Sequence, residues 1–430
     1  MNYVREELAG LIRPDAVHSS VYADPGIFDL EMQRIFGRVW LLLAHQSSLP
    51  VPGSWMATRM GREPVTVVRG RDDRLRAFIN RCPHRGATVC LGDSGRVDSI
   101  TCPYHGWSFD LEGSLKFVPA AHEYEGGVAR SASALTPVPR LEMYRGFLFG
   151  SLLAEGPSLA DFLGSMLDVI DDLVDRAPAD DLEVAPVVLR HRYRGNWKLS
   201  FENLNDTVHA GVAHVAAARA AQRVIGSIDD PSQHPLLGMM AANAKPLAFF
   251  HDLVSRTESR GHSVFGAHMP TEYPEPLQGE YFAALVASRG EKRATEILSR
   301  ARHMALVYPG SFWHARYQTV RVIHPLAPDL TEIVTWSFRL KGAPAGTYDS
   351  ALQYCTGSSS AMSTIITDDL DIYEGIQRNA AAAPGWLSIA RGAGTSGNGA
   401  FPQEQPATSE AFIRNQYRAW LESLCARGGK

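Results

Sequence analysis

Four residues in the first quarter of the chain have the types and spacing to hold a metal. They are Cys82 and His84 in CPHRG, and Cys102 and His105 in CPYHGWSFD. The pattern is C-x-H, then seventeen residues, then C-x2-H. Each pair sits in a Pro/Gly turn between strand-like runs. That suits loop tips that present thiolate and imidazole in one direction. Two Cys and two His can hold a structural zinc or an iron–sulfur cluster. Zinc sites usually group Cys with Cys and His with His. Mixed pairs suit a cluster in which each loop must reach both metal ions. Cys90 lies between the pairs, fits neither, and reads as a small buried side chain.

A second set lies in NWKLSFENLNDTVHAGVAH, residues 196–214, which reads as one helix. Asp206 and His209 are three apart and share a helix face. His209 and His214 are five apart, about 140° round an ideal helix. They meet at one metal only if the helix bends or ends between them, and Gly211 is placed to allow it. Read alone, such histidines are as readily hydrogen-bonded core or surface groups. An acid from elsewhere would complete a ligand set. Asp368 and Asp369 open a further helical stretch, 368–383, where on their own they compensate the helix dipole.

With both sets in view, the chain resembles the Rieske non-haem iron oxygenases, specifically the large (α) subunit of aromatic ring-hydroxylating oxygenases. The resemblance rests on CPHRG, on CPYHGWSFD, and on Glu202, Asn203, Asp206, His209 and His214 in the register E-N-x-x-D-x-x-H-x4-H. It spans essentially the whole chain. It implies an α+β fold class: a Rieske-type β domain with a [2Fe–2S] cluster at 38–155, and a helix-grip (START-like) catalytic domain with an antiparallel sheet at 156–430. The N-terminal segment, 1–37, would pack on the latter. The resemblance places Cys82 and Cys102 on one iron and His84 and His105 on the other. It places a mononuclear Fe(II) on His209, His214 and Asp369, with Asp368 the alternative third ligand. Asp371 and Glu374 are expected to face solvent. Asp206 becomes a carboxylate bridging to a Rieske His of a neighbouring subunit, and Asn203 a pocket residue. Val208 departs from the pattern. Relatives commonly carry Tyr before the first iron His, so a polar contact beside the iron is in doubt.

The implied reaction uses O2 and electrons that pass from NAD(P)H through a reductase and/or a ferredoxin. The implied substrate is an aromatic ring, which is dihydroxylated. A Rieske monooxygenase or demethylase is the alternative. A non-catalytic Rieske electron carrier and a zinc-stabilised binding protein are the other classes. The dialect NWK…FEN…D with RVIHPLAPDLTEI is closest to relatives acting on benzoate-like acids such as terephthalate or salicylate. The implied assembly is a homotrimer of α subunits, with or without β subunits as α3β3.

The elements that must position these residues are partly legible. Residues 1–37 read as a helical lead-in. Residues 38–152 have β texture, with PVTVVR, LRAFIN and GFLFGSL as runs between Gly turns. Asp161–Glu183 reads as a surface helix with a solvated acidic face. PVVLRHRYR, 186–194, reads as a strand. Residues 220–300 read as a mixed, irregular excursion of the kind that forms lids. Arg316–His324 and Thr331–Leu340 read as a hairpin. Arg316 and Arg321, five apart, face opposite sides of a strand, and one could contact a substrate carboxylate. His314 and His324 read as core or pocket-lining. Gly392–Gly397 matches G-x-G-x-x-G, but Asn-Gly-Ala-Phe-Pro follows and cannot open the helix that a dinucleotide site needs. It reads as a flexible loop.

Composition sets outer limits. The 430 residues carry 42 Lys plus Arg against 46 Asp plus Glu, which is not the basic footprint of a nucleic-acid binder. No apolar run nears the ~18 residues of a membrane span, and MNYVREELAG lacks the apolar stretch of a signal peptide. Five cysteines, three of them within 21 residues, point to a metal site in a reducing, cytoplasmic setting rather than to a disulfide framework.

Overall fold

The computed structural model describes residues 3–128, 133–229, 234–265, 278–300, 304–361, 363–395 and 400–426. The chain divides into two compact units. One is Phe36–Leu159; the other joins Met1–Ile35 to Ala160–Lys430.

The smaller unit is built of short antiparallel strands. Leu75–Ile79, Glu63–Arg69, Ser54–Met60 and Ser94–Arg96 form one sheet in that order. Ile100–Thr101, Ser108–Phe109 and Leu115–Phe117 form a second. Arg140–Tyr144, Phe147–Ser151 and Leu41–His45 form a third. The core packs Trp55, Val68, Phe78, Ile100, Phe109 and Leu115 with Cys82, Cys90 and Cys102. The cysteines of the first constellation therefore leave from the core side of this unit. Cys90 is buried there without a ligand-like neighbourhood; Asn80 Oδ1 accepts from its amide at 2.9 Å.

The larger unit is organised round a nine-stranded antiparallel sheet. Its order is Leu182–Val184, Leu330–Leu340, Thr319–Ala327, Ser311–His314, Met304–Val307, Ser263–Phe265, Val254–Thr257 and Gln403–Pro406. Leu189–Tyr193 also pairs with Leu330–Leu340. The hairpin runs in register from Thr319↔Ser337 to Pro325↔Thr331, then shifts at a bulge to Ala327↔Leu330, with Pro328–Asp329 as its turn. Nearly every residue of its two strands is buried. Such a sheet must be covered on both faces. Arg316 lies in the turn before the strand rather than on it, so the expected opposition to Arg321 does not arise.

Three expectations need correction. Asp161–Glu183 is not one helix with a solvated acidic face. It forms Leu159–Leu163, a short 3-10 turn, Leu167–Asp175 and then a strand. Asp172 is fully buried against Arg176 at 3.6 Å and Arg300 at 3.5 Å. Asp175 takes Arg293 at 2.6 Å. Arg176 is a local i,i+4 partner, but Arg300 and Arg293 are more than a hundred residues away and leave no local pattern. Residues 196–214 form two helices, Trp197–Asn203 and Thr207–Ala213, because Asp206 starts the second as its N-cap. The described part of 220–300 is mainly helical, through Val215–Ile225, Pro235–Ala242, Leu247–His251, Gly279–Arg289 and Glu291–Ser299. Residues 230–233 and 266–277 of that stretch, and 396–399 of the Gly-rich segment, lie outside the described residues.

One of the ties between the leading segment and the rest of this unit is a buried carboxylate. Glu31 is wholly buried. It accepts from Trp197 Nε1 at 2.9 Å, Lys198 Nζ at 2.5 Å and Trp420 Nε1 at 2.7 Å. Two indoles and an ammonium satisfy it, as a buried charge requires.

Candidate metal centres

The first centre is made by two nearly matching turns. The Cys82 amide donates to the Ala87 carbonyl at 2.7 Å, and the Gly86 amide returns to the Cys82 carbonyl at 2.9 Å. The Cys102 amide donates to Trp107 at 2.8 Å, and the Gly106 amide to Cys102 at 3.1 Å. Both glycines are left-handed, at φ +76° and +71°, which lets each turn close four residues after its cysteine. The His84 and His105 rings stand edge to face, with centroids 4.8 Å apart. Trp107 stacks flat on His84 at 4.7 Å and fixes its plane.

Burial pushes the Cys82 thiol up, and the adjacent Cys102 adds to that. Burial pulls His84 down, helped by His105 and Arg85. The His105 Nδ1 atom is buried with no hydrogen-bond partner. Two thiols side by side, two imidazoles side by side and an orphaned ring nitrogen fit a cluster with cysteines on one iron and histidines on the other.

The second centre begins at the helix break. Asp206 Oδ1 accepts from the Val208 amide at 2.6 Å and the His209 amide at 3.3 Å. Its Oδ2 accepts from Arg391 at 2.8 Å. His209 lies in the first turn of the new helix. The helix runs straight through Gly211 and ends at Ala213, so the bend falls on His214 itself, at φ −99° and ψ 14°. One would-be ligand is the hinge that turns it towards the other.

Asp369 arrives from Ile366–Ala382, 155 positions beyond His214. Its Oδ1 lies 3.3 Å from His214 Nε2 and 3.7 Å from His209 Nε2. One donor atom from each of the three residues falls within a 4.8 Å span. Asn203 Nδ2 donates to Asp369 Oδ1 at 3.2 Å. Asp368 sits behind: its Oδ2 is 3.3 Å from His214 Nδ1. A carboxylate there orients the ring so that Nε2 points inward. Asp371 is exposed, while Glu374 is half-buried and accepts from the Arg194 amide. Asp369 has no Lys or Arg partner among the described residues. Two imidazoles facing a buried carboxylate that lacks a cation fit a divalent iron in a facial arrangement.

Burial pulls His209 down, and the Asp369 and Asp206 charges only partly offset it. Burial also pulls on His214, but hydrogen bonds and charge from Asp369 and then Asp368 outweigh it and set it above its ordinary value.

Sequence reading missed Arg391 and the cluster at Glu202. Glu202 accepts from Tyr22 at 2.9 Å and Tyr417 at 2.6 Å, and burial pushes it up to about 7. No signal links residues 185 or 215 apart. His314 and His324 are buried on their strands and do not belong to the His209, His214 and Asp369 group.

Comparison with known proteins bears on what these centres are. A family model for the Rieske [2Fe–2S] domain matches residues 39–139. One for the catalytic domain of the ring-hydroxylating α subunit matches 178–424. The chain belongs to that α-subunit family. The toluate 1,2-dioxygenase α subunit of Pseudomonas putida is 33% identical over 87% of this chain and 80% of its own. The anthranilate 1,2-dioxygenase large subunit of Acinetobacter baylyi is 32% identical over 75% and 68%. Naphthalene 1,2-dioxygenase from a Rhodococcus species, solved with indole bound, superposes at TM-score 0.81 with 25% identity, covering both chains completely.

This ring-hydroxylating oxygenase α subunit is thus an oxidoreductase of the dioxygenase type. It carries a Rieske [2Fe–2S] cluster and a mononuclear iron, and works with ferredoxin or reductase partners on an aromatic substrate. Its fold is the expected α+β combination of Rieske domain and antiparallel catalytic domain. No described helix is long and apolar enough to cross a membrane.

Proposed function

We propose that this α subunit dihydroxylates an aromatic carboxylic acid. In this reading Cys82, His84, Cys102 and His105 hold the cluster in a domain at 38–155. His209, His214 and Asp369 hold the iron in a domain at 156–430, on which residues 1–37 pack. The observation that carries it is the convergence of His209, His214 and Asp369 from two separate stretches of chain. The acid is supported by the relatives named for toluate and anthranilate.

Bound iron supplies O2 activation with electrons that arrive through the cluster. The side chains supply geometry. Asp368 holds the tautomer of His214, Asn203 steadies Asp369 Oδ1, and the His214 hinge closes the pair. Asp206 caps the helix that carries His209 and has a partly exposed carboxylate. It is the group assigned to bridge to a Rieske imidazole of a second copy. Such a bridge needs more than one copy, and the family resemblance supports an α homotrimer, with or without β subunits, in the cytoplasm. Five unpaired cysteines support the reducing compartment.

The test is an EPR spectrum of the dithionite-reduced protein with iron, zinc and sulfide quantified. About three irons and two sulfides per chain with a Rieske signal are expected. Zinc without sulfide would refute the ligand assignments.

A further inference from the structure

The large sheet carries a set of buried polar atoms that the metal centres do not use. Arg321 lies on Thr319–Ala327, only 8% exposed. It pairs in register with Thr335 on the next strand. Thr335 in turn pairs with Leu189 on Leu189–Tyr193. Directly paired residues share a face, and so do residues two apart. Arg321, Thr335, His191 and Tyr193 therefore stand on one face of the sheet.

The polar atoms on that face are not satisfied. Arg321 donates one bond, from its Nη2 to Ser359 Oγ at 2.8 Å. Its Nε is buried without a partner. Thr335 Oγ1 and both ring nitrogens of His191 are likewise buried and unpartnered. No carboxylate lies within ion-pair distance of Arg321 among the described residues. A guanidinium cannot shed its proton in a protein, so this is a permanent buried cation. Burying a charge without a counter-ion is strongly unfavourable. The Thr335 hydroxyl and the one N–H of a neutral His191 can give a second and a third contact to whatever anion balances it.

The position is also informative. On the same face, Tyr193 packs on Tyr373 with ring centroids 5.1 Å apart. Tyr373 lies one helical turn beyond Asp369 and feels both the Asp369 and the Arg321 charges. The Arg321 cation and the Asp369 carboxylate thus act on the same tyrosine with opposite sign.

We propose that Arg321, with Thr335 and His191 beside it, is the recognition site for the carboxylate of the aromatic substrate. This rests on the aromatic-acid reading above and assigns that acid its counter-ion. Ser359 takes one hydrogen of Nη2 and holds the guanidinium in place, leaving the buried Nε–H to donate to a carboxylate oxygen. The acid group docks against the sheet, and the ring extends from it towards Tyr373 and the iron side. A neutral arene would leave the cation unbalanced, so the site selects acids over their neutral counterparts.

The experiment uses the iron-loaded full chain as wild type, Arg321→Met and Arg321→Lys. The probes are benzoate, salicylate and terephthalate, each against its amide, and inorganic phosphate. Binding is read by titration calorimetry and by the shift in Tm. Wild type is expected to prefer at least one acid over its amide. Arg321→Met should weaken that acid about 100-fold with little change for the amide, and Arg321→Lys should recover part of the loss. Without any probe, Arg321→Met should melt a few degrees higher, since it removes an unbalanced cation.

If wild type prefers an acid and Arg321→Met keeps that preference, the assignment of Arg321 is overturned and the acid reading stands. If wild type prefers no acid, the acid reading falls and takes the assignment with it. A probe-free Arg321→Met that melts lower shows a structural arginine and overturns the proposal. Phosphate binding as tight as the best acid overturns it too, by showing an unselective anion hole.

Discussion

The two metal centres are assembled in opposite ways. The cluster site is local. Four donors lie within two dozen residues, on two turns with the same hydrogen-bond pattern and a left-handed glycine at the same offset from each cysteine. The iron site is non-local. Its histidines flank a helix end, and its acid comes 155 residues later. A local site is fixed by turn chemistry, so its geometry depends on few tertiary contacts. A non-local site depends on whatever docks one helix against another, so its supporting residues are scattered.

That contrast can be broken or sharpened. The largest effect separates the centres outright. His209→Ala or Asp369→Ala should abolish hydroxylation and lose the mononuclear iron while keeping the cluster spectrum; Cys102→Ser should also abolish hydroxylation, but lose the cluster spectrum and keep the mononuclear iron. Metal analysis with EPR reads both, and loss of both centres from one substitution would mean that the two are not independent.

Next is an acid weakness confined to the larger unit. His262 is buried and neutral. Its Nε2 donates to the Phe162 carbonyl at 2.9 Å and its Nδ1 accepts from the Tyr308 amide at 3.0 Å. Burial pulls it from 6.5 to about 4. The unfolded chain therefore takes up the proton first as pH falls. The stabilisation is complete above pH 6.5 and is lost on the way down to about 4, on the order of 3 kcal/mol. Denaturant titrations should show this slope, and His262→Gln should reduce it, the rest coming from His191, which burial also pulls down to about 4.

Smaller effects probe the supports. Asp368→Asn should weaken iron retention about 10–100-fold, read by chelator competition, with the cluster untouched. Gly106→Ala should cost the smaller unit about 1–2 kcal/mol, since its φ is +71° and a Cβ would sit 3.2 Å from Pro119 Cγ. Its signature is earlier bleaching of the cluster on heating, with iron retention unchanged. Arg391→Ala should change stability by no more than about 1 kcal/mol, the pair being partly exposed. It should nevertheless slow the passage of electrons from cluster to iron several-fold in single-turnover kinetics, because Asp206 loses the group that orients its outer oxygen.

The same contrast explains what the sequence disclosed. The candidate cluster donors could be picked out because two turns encode them, and the hairpin because strand patterning and a Pro-Asp turn encode it. The histidine pair needed a motif, because their spacing on an ideal helix sets them on different faces. The resolution of that conflict, a hinge at His214 rather than at Gly211, depends on a helix ending that no residue type announced. The roles of Asp368 behind His214, of Arg391 beside Asp206 and of the arginines round Asp172 all rest on pairings across a hundred residues or more, except where one chain turn supplies them. An acidic run reads the same whether it meets water or guanidinium.

Glu31 carries a consequence for the order in which the molecule is made. Its carboxylate is satisfied only when Trp197, Lys198 and Trp420 have all arrived. A chain emerging from the ribosome presents its N-terminal end first. The turns around Cys82 and Cys102 are complete long before residue 420 is synthesised, and can receive their sulfur and iron on the nascent chain. The helix that leads to His209 stays unlocked until nearly the last residue is translated. The donors proposed for the single iron, which include Asp369, are therefore complete much later in synthesis than the four proposed for the cluster.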